Sequence, residues 1–237
     1  MGDRKKKIVI VMPAYKAAKT LKKTYEDIPK SLKAKIILVD DASPDKTVEV
    51  AKKLGIHIIK HEYNIGYGGN QKTCYNAALR NGAEIVVLLH PDYQYDPKML
   101  VDLVQPIIDD KADFTFGSRF TKERNPLKGG MPFYRYLGNR LTTLIENLLL
   151  ETNFSEFHSG YKAYNKKLLR TLPYKNYSNG FLFDSHLLID AIFAGFRVKE
   201  IPIPTRYTEE SSSVNIPNSL AYIGQTIIYL LKKKLKR

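Results

Sequence analysis

The chain has 237 residues, 43% of them hydrophobic, enough for one α/β domain with a full core and short for two. Its net charge of +14 favours polyanionic company such as nucleotides, phosphorylated lipids or acidic membranes. Much of that charge gathers at the ends, in residues 4–7 and 232–237, which disfavours a nucleic-acid groove along one face.

The elements follow in chain order. Residues 8–12 form an apolar run that predicts a first strand, followed by a helix over about 17–32. Residues 35–39 predict the second strand, 44–54 the second helix, and 56–59 a third, short strand. Residues 64–69 lead into a helix ending near Asn81-Gly82. Within it Cys74, the only cysteine, reads as core and makes an intrachain disulfide impossible. Residues 85–89 predict the fourth strand, 97–109 a helix, and 114–116 the fifth strand. This alternation predicts an α/β fold: one Rossmann-like domain with a mainly parallel central sheet flanked by helices. Further on, helices are expected over 137–150 and 181–194, and a strand over 197–204.

Leu220, Ile223, Ile227, Leu230 and Leu231 share one helical face, with Lys232, Lys233, Lys234, Lys236 and Arg237 behind them. That pattern fits a helix resting on anionic lipid, or a terminal helix packed on the domain with a solvated basic tail. The expected division is a main domain over 1–218 and an amphipathic basic helix over 219–237. The main domain divides into a donor half over 8–120 and an acceptor half over 121–213. No run approaches the roughly 20 apolar residues of a membrane span, and the basic start lacks a signal-peptide pattern. A cytoplasmic protein, peripheral at the inner membrane face, is therefore expected.

Four segments should converge at the carboxyl ends of the strands, where ligands of open α/β sheets sit. In VMPAYKAAKTL (residues 11–21), Pro13 rigidifies the exit from strand one and Tyr15 can stack on a nucleobase. In ILVDDASPDKT (37–47), Asp40 and Asp41 end strand two. Asp41 there either accepts from a base or ribose, or forms a local turn with Ser43. In NIGYGGNQKT (64–73), Gly66, Gly68 and Gly69 allow close backbone approach at a helix N-terminus, which favours anions. In VLLHPDYQYDP (87–97), an apolar strand runs into His90, Asp92 and Gln94, a donor set for a divalent cation, and Asp96-Pro97 opens the next helix.

Taken together and in this order, the four segments resemble the family 2 glycosyltransferases with the GT-A fold, most of all the dolichyl- or polyprenyl-phosphate sugar synthases. FTFGSRF (114–120), HSGYKAYNKKLL (158–169), FLFDSHLL (181–188) and KEIPIPTRYTEESSS (199–213) agree with that family's later motifs, so the resemblance runs from about residue 8 to 213. It implies a UDP- or GDP-sugar donor, with Pro13, Tyr15 and Asp41 near base and ribose and Arg206 reaching the diphosphate. Where the family usually has DxD, this chain reads His90-Pro91-Asp92-Tyr93-Gln94: Asp92 and Gln94 match, while His90 replaces the first aspartate. Imidazole is acceptable to Mn²⁺ and less natural for Mg²⁺, so either the ion preference shifts or His90 leaves the metal.

The resemblance implies inversion at the anomeric carbon. A lipid-phosphate acceptor is already anionic and needs no strong base, and Arg119 and Arg135 would hold it. A saccharide hydroxyl acceptor, in surface polysaccharide or glycoprotein glycan assembly, would need a base, for which Asp184 is the candidate. Asp184 also reads as an ordinary acid in the first turn of a helix. A third reading, prompted by the missing first aspartate, is a nucleotide-binding protein without turnover.

Overall fold

The computed structural model describes residues 6–121, 126–127, 129–204 and 216–235. Its centre is a seven-stranded sheet built from β1 (Ile8–Ala14), β2 (Lys35–Asp40), β3 (His57–Lys60), β4 (Ile85–Leu88), β5 (Phe114–Ser118), β6 (Lys162–Asn165) and β7 (Val198–Pro202). The strand order is β3-β2-β1-β4-β6-β5-β7. All pairings are parallel except those of β6, which runs antiparallel between β4 and β5.

Every residue of β1 and β4 is buried, because helices cover both faces of the sheet. Alternation along β1 divides the core into two layers. Val9 and Val11 face the layer with α3 (Tyr67–Arg80) and α7 (Leu182–Phe193). Ile8, Ile10 and Met12 face the layer with α1 (Leu21–Glu26), α2 (Thr47–Lys53) and α4 (Leu100–Ile108). Pro13, expected at the exit of the first strand, lies inside it and buried. The pairing of β1 with β4 ends at Val11–Leu88, so the N–H that Pro13 lacks falls beyond that ladder.

Several predicted helices are shorter in the structure. The one expected over 17–32 is α1 followed by a single 3₁₀ turn, Lys30–Leu32, because Pro29 between them is extended and cannot continue a helix. The second begins at Thr47, whose N–H is held by the Asp45 carboxylate. The Asp96 side chain accepts from the Lys98 N–H and caps a 3₁₀ turn, Pro97–Met99, that leads into α4. Two elements were absent from the expected list, β6 and α6 (Lys166–Thr171). A buried lysine at the head of β6 hides its strand character, and Asn165 ends it by capping α6 through the Leu168 N–H.

The acceptor-side helices are α5 (Phe133–Leu150), α7 and the terminal α8 (Ile216–Lys234). α8 packs on α5 and α7. Thr226 and Leu230 are buried, and Tyr229 Oη donates to Asp190 Oδ1 at 2.8 Å, beside the Lys233 ammonium. The face expected to meet lipid is therefore partly spent on the domain: Leu230 is turned inward and Ile223 and Ile227 are half-buried, whereas Leu231 is exposed. The side chain of Leu220 lies outside the described residues. No helix among the described residues is long and apolar enough to cross a membrane.

Candidate active site

The carboxyl ends of β1, β2 and β4 lie side by side, as parallel pairing requires. Tyr15, the first residue past β1, is 49% exposed there and available for stacking. Asp41 follows β2 with its own N–H held by the Ala14 carbonyl. Its carboxylate accepts from the Ile65 N–H at 2.9 Å and the Gly66 N–H at 3.1 Å, and it meets His61 Nδ1 at 2.9 Å. His61 is fixed in turn by Thr73 Oγ1 at 3.0 Å. Both oxygens of Asp41 thus hold the loop over 61–66. The neighbouring Asp40 is different: Oδ2 accepts from the Ser43 N–H, while Oδ1 is buried with no hydrogen-bond partner among the described residues.

The glycine loop also differs from expectation. The N–H groups of Gly68 and Gly69, which were expected to face an anion, both point at the Asn179 carbonyl, at 2.7 and 3.2 Å. Gly66 has φ +88°, and a Cβ there would stand 2.8 Å from the same oxygen; a Cβ on Gly68 would collide with the Ser178 carbonyl. The close approach that the glycines permit is to the segment entering α7. Protein backbone thus occupies the helix N-terminus that the glycines open.

The loop leaving β4 carries His90, Asp92 and Gln94. Asp92 Oδ1 accepts from the Gln94 backbone N–H at 3.0 Å, closing a tight turn in which Tyr93 has φ +60°. His90 is stacked on Tyr67, with ring centroids 5.5 Å apart and planes 4° from parallel, and His90 Nε2 lies 3.4 Å from the Tyr67 hydroxyl. That hydroxyl donates to Asp184 Oδ2 at 2.7 Å, and Asp184 Oδ1 is paired with Lys162 Nζ at 3.0 Å. Lys162 is 1% exposed and enters from β6, across the sheet from β4. A line of polar groups thus joins His90, Tyr67, Asp184 and Lys162. Desolvation, then the Asp184 carboxylate, raise the Tyr67 phenol well above its ordinary pKa, so it remains a donor. Burial lowers Lys162 while Asp184 opposes the shift. Desolvation also lowers His90, against the pull of Asp92 and Asp184, and favours the neutral imidazole that can bind a metal. Gly160 makes room: a Cβ there would stand 3.1 Å from His90 Nε2.

Arg119 follows β5 and is buried. Its backbone N–H and its guanidinium both engage Glu156, which has no exposure at all, and one guanidinium nitrogen also reaches the His158 carbonyl at 3.4 Å. Tyr95 connects this pair to His90: its ring lies 6.2 Å from the imidazole and its oxygen accepts from the Gly160 N–H at 2.8 Å. Arg135, in the first turn of α5, lies over the Tyr134 ring at 5.8 Å. Tyr136 in that turn stacks on Phe120, the residue after Arg119. Arg206 lies outside the described residues. Tyr67, Lys162, Glu156 and Tyr95 were not among the expected site residues. A lysine between Tyr161 and Ala163, and a glutamate in the run Phe154-Ser155-Glu156-Phe157, were the available signals.

The residues present fit a divalent cation only in part by themselves. Among the described residues no three His, Cys, Asp or Glu side chains gather to hold one. His90 and Asp92 offer one nitrogen and one carboxylate at a strand end, the partial set that a cation completed by substrate phosphates uses.

The same architecture occurs in the glucosyl-3-phosphoglycerate synthase of Mycobacterium tuberculosis, with TM-score 0.73 at 18% identity over 97% of this chain and 80% of that one. That enzyme has also been crystallised with Mn²⁺ and UDP-glucose. Among sequence relatives, a UDP-N-acetylglucosamine–dolichyl-phosphate N-acetylglucosaminyltransferase of Methanococcus voltae is 31% identical over 95% of each chain. A dolichyl-phosphate hexose transferase of Haloferax volcanii is 25% identical over 97% of this chain and 96% of the relative. The family model for glycosyl transferase family 2 matches residues 9–172, from the first strand through the Lys162 strand to the end of α6. With its GT-A sheet and its relatives among the polyprenyl-phosphate sugar transferases, this chain belongs to glycosyl transferase family 2.

Proposed function

We propose that this glycosyltransferase moves a sugar from a UDP- or GDP-sugar to a polyprenyl (dolichyl) phosphate at the cytoplasmic face of a membrane, with inversion. The observation that carries the choice of acceptor is the state of Asp184. A saccharide hydroxyl must lose a proton on attack, and Asp184 was the carboxylate expected to take it. Its two oxygens instead face a buried ammonium and a phenol O–H. With both oxygens engaged inside the protein, this carboxylate is not aimed at an attacking hydroxyl. An acceptor that arrives as a phosphate oxyanion needs none. Its oxygen attacks the anomeric carbon, the bond from that carbon to the donor's β-phosphate oxygen breaks, and the electron pair leaves on the nucleoside diphosphate.

In this reading Tyr15, exposed past the end of β1, stacks on the base. His90 and Asp92 would hold a divalent cation, which when bound offsets the charge gathering on the leaving diphosphate. Tyr67 and Lys162 keep His90 and Asp184 in place. Arg135 and Arg206 receive the acceptor or donor phosphates. Arg119, paired with Glu156, shapes the pocket from behind. The name of the Methanococcus voltae relative makes UDP-N-acetylglucosamine the first donor to try.

The test is nucleotide release from a panel of UDP- and GDP-sugars with Mn²⁺ or Mg²⁺, with a polyprenyl phosphate, its parent alcohol or free saccharides as acceptor. Release that depends on the phosphate supports the proposal. Transfer to saccharide hydroxyls alone overturns the acceptor assignment, and nucleotide binding without turnover under any metal overturns the enzyme.

A further inference from the structure

α5 carries a feature that the reaction does not use. Phe133, Tyr134, Leu137, Leu141, Leu144 and Leu148 are each between 52% and 76% exposed. At 3.6 residues per turn they fall within an arc of about 100°. The helix has 18 residues and so spans about 27 Å. Its opposite face is packed, with Thr142, Thr143, Glu146 and Leu150 buried. A continuous apolar stripe of this length is uncommon on the surface of a soluble monomer.

The charges around it choose the partner. Arg140 is exposed at the edge of the stripe, whereas Arg135 falls on the other side of the first turn. The acid nearest the middle of the helix, Glu146, is buried beside His158 at 3.2 Å. At the far end Lys234 bonds the Leu149 carbonyl and Glu151, so α8 arrives there with exposed Lys232, Leu231 and Leu235. Antiparallel two-fold pairing of the stripe with a second copy would set Arg140, near its midpoint, against itself with no exposed acid on the stripe to compensate. A surface of anionic headgroups over an apolar interior matches the leucines together with Arg140 and Lys232.

We infer that α5, rather than the apolar face of α8, is the membrane-docking element, lying in the plane of an anionic lipid surface with Phe133, Leu137, Leu141, Leu144 and Leu148 in the acyl boundary. This deepens the reading above and rests on it only for the lipid nature of the acceptor. The N-terminal turn of α5 stacks, through Tyr136, on Phe120 beside Arg119, so the docked helix begins at the site where the acceptor phosphate is proposed to sit.

The chain has no tryptophan, so Leu144→Trp introduces a single reporter. Vesicles of phosphatidylcholine with 30% phosphatidylglycerol should shift its emission to the blue, and brominated lipid should quench it. Phosphatidylcholine alone should do so at least tenfold more weakly. In sedimentation with the same anionic vesicles, Leu141→Glu/Leu144→Glu should lower the bound fraction at least tenfold, while Ile223→Glu should not do so selectively if it remains folded by circular dichroism. The double variant should still turn over a short, water-soluble isoprenyl phosphate, so a failure of docking is distinguishable from a failure of the transferase reading. Unchanged vesicle binding by the double variant overturns the inference. So does a blue shift that rises with protein concentration without vesicles and accompanies dimers in sedimentation velocity, which would assign the stripe to a second copy.

Discussion

Two carboxylates near the candidate site, Asp41 and Asp184, are both fully engaged, and they are engaged by different chemistry. Asp41 accepts from two backbone N–H groups and an imidazole, and with them fixes a loop. Asp184 is met by a buried ammonium and by a phenol whose ring stacks on His90. A carboxylate satisfied by backbone is a structural pin. One satisfied by an ammonium and a phenol belongs to a line of polar side chains that leads to the strand end where substrate would bind. The difference sets a carboxylate that holds a loop apart from one joined to His90 through Tyr67, although the motifs that contain them looked equally functional.

The sharpest way to break that contrast is at Lys162. Lys162→Met leaves Asp184 buried without its counter-charge and should cost about 3–5 kcal/mol in urea unfolding, whereas Lys162→Met/Asp184→Leu should recover most of it. A harmless single variant would mean that the pair is not the buried unit described. Next, Asp41→Ala strands the Ile65 and Gly66 N–H groups and should cost about 3 kcal/mol in the same experiment. Loss of nucleotide affinity without loss of stability would return Asp41 to the donor. Third, Asp92→Ala should lower nucleotide release at least about 10²-fold with the fold intact by circular dichroism. His90→Asp should keep activity and shift the ion preference from Mn²⁺ toward Mg²⁺. Normal turnover by Asp92→Ala would remove the metal role from this loop.

The smallest effect is one of pH. Burial would lower the His158 pKa, but the Glu146 carboxylate beside it outweighs burial and raises it. A histidine whose folded pKa lies above the unfolded value of about 6.5 contributes stability fully below that value and loses it as pH rises through the folded pKa. Unfolding midpoints of the wild type should therefore fall from pH 6 toward pH 8 relative to those of His158→Gln. Parallel profiles would show that the pair makes no such contribution.

How much of this was legible in the sequence follows from which interactions are local. The strands β1, β2 and β4 were readable because burial on both faces leaves unbroken apolar runs. β6 was not, since its first residue is a lysine whose partner, Asp184, is far away in sequence. Tyr15 and the His90–Asp92 loop fell at the strand ends as their positions required. The uses of Asp41, Gly68 and Arg119 were hidden because their partners, Ile65, Asn179 and Glu156, become neighbours only through the fold. The two amphipathic helices make the same point from the surface. Periodicity located an apolar face on α8 and a helix at α5, yet only packing decides that Leu230 is covered and Leu144 is exposed.

The account turns on the acceptor being an oxyanion that needs no base, and one comparison tests that most directly. With a single nucleotide-sugar donor and matched chain length, initial rates of transfer to a polyprenyl phosphate and to the parent polyprenol are measured from pH 5.5 to 9. The account predicts transfer to the phosphate alone, with no rising limb in kcat/KM that Asp184→Asn abolishes. Comparable transfer to the alcohol, or a rising limb lost in Asp184→Asn, would make Asp184 the base and contradict it.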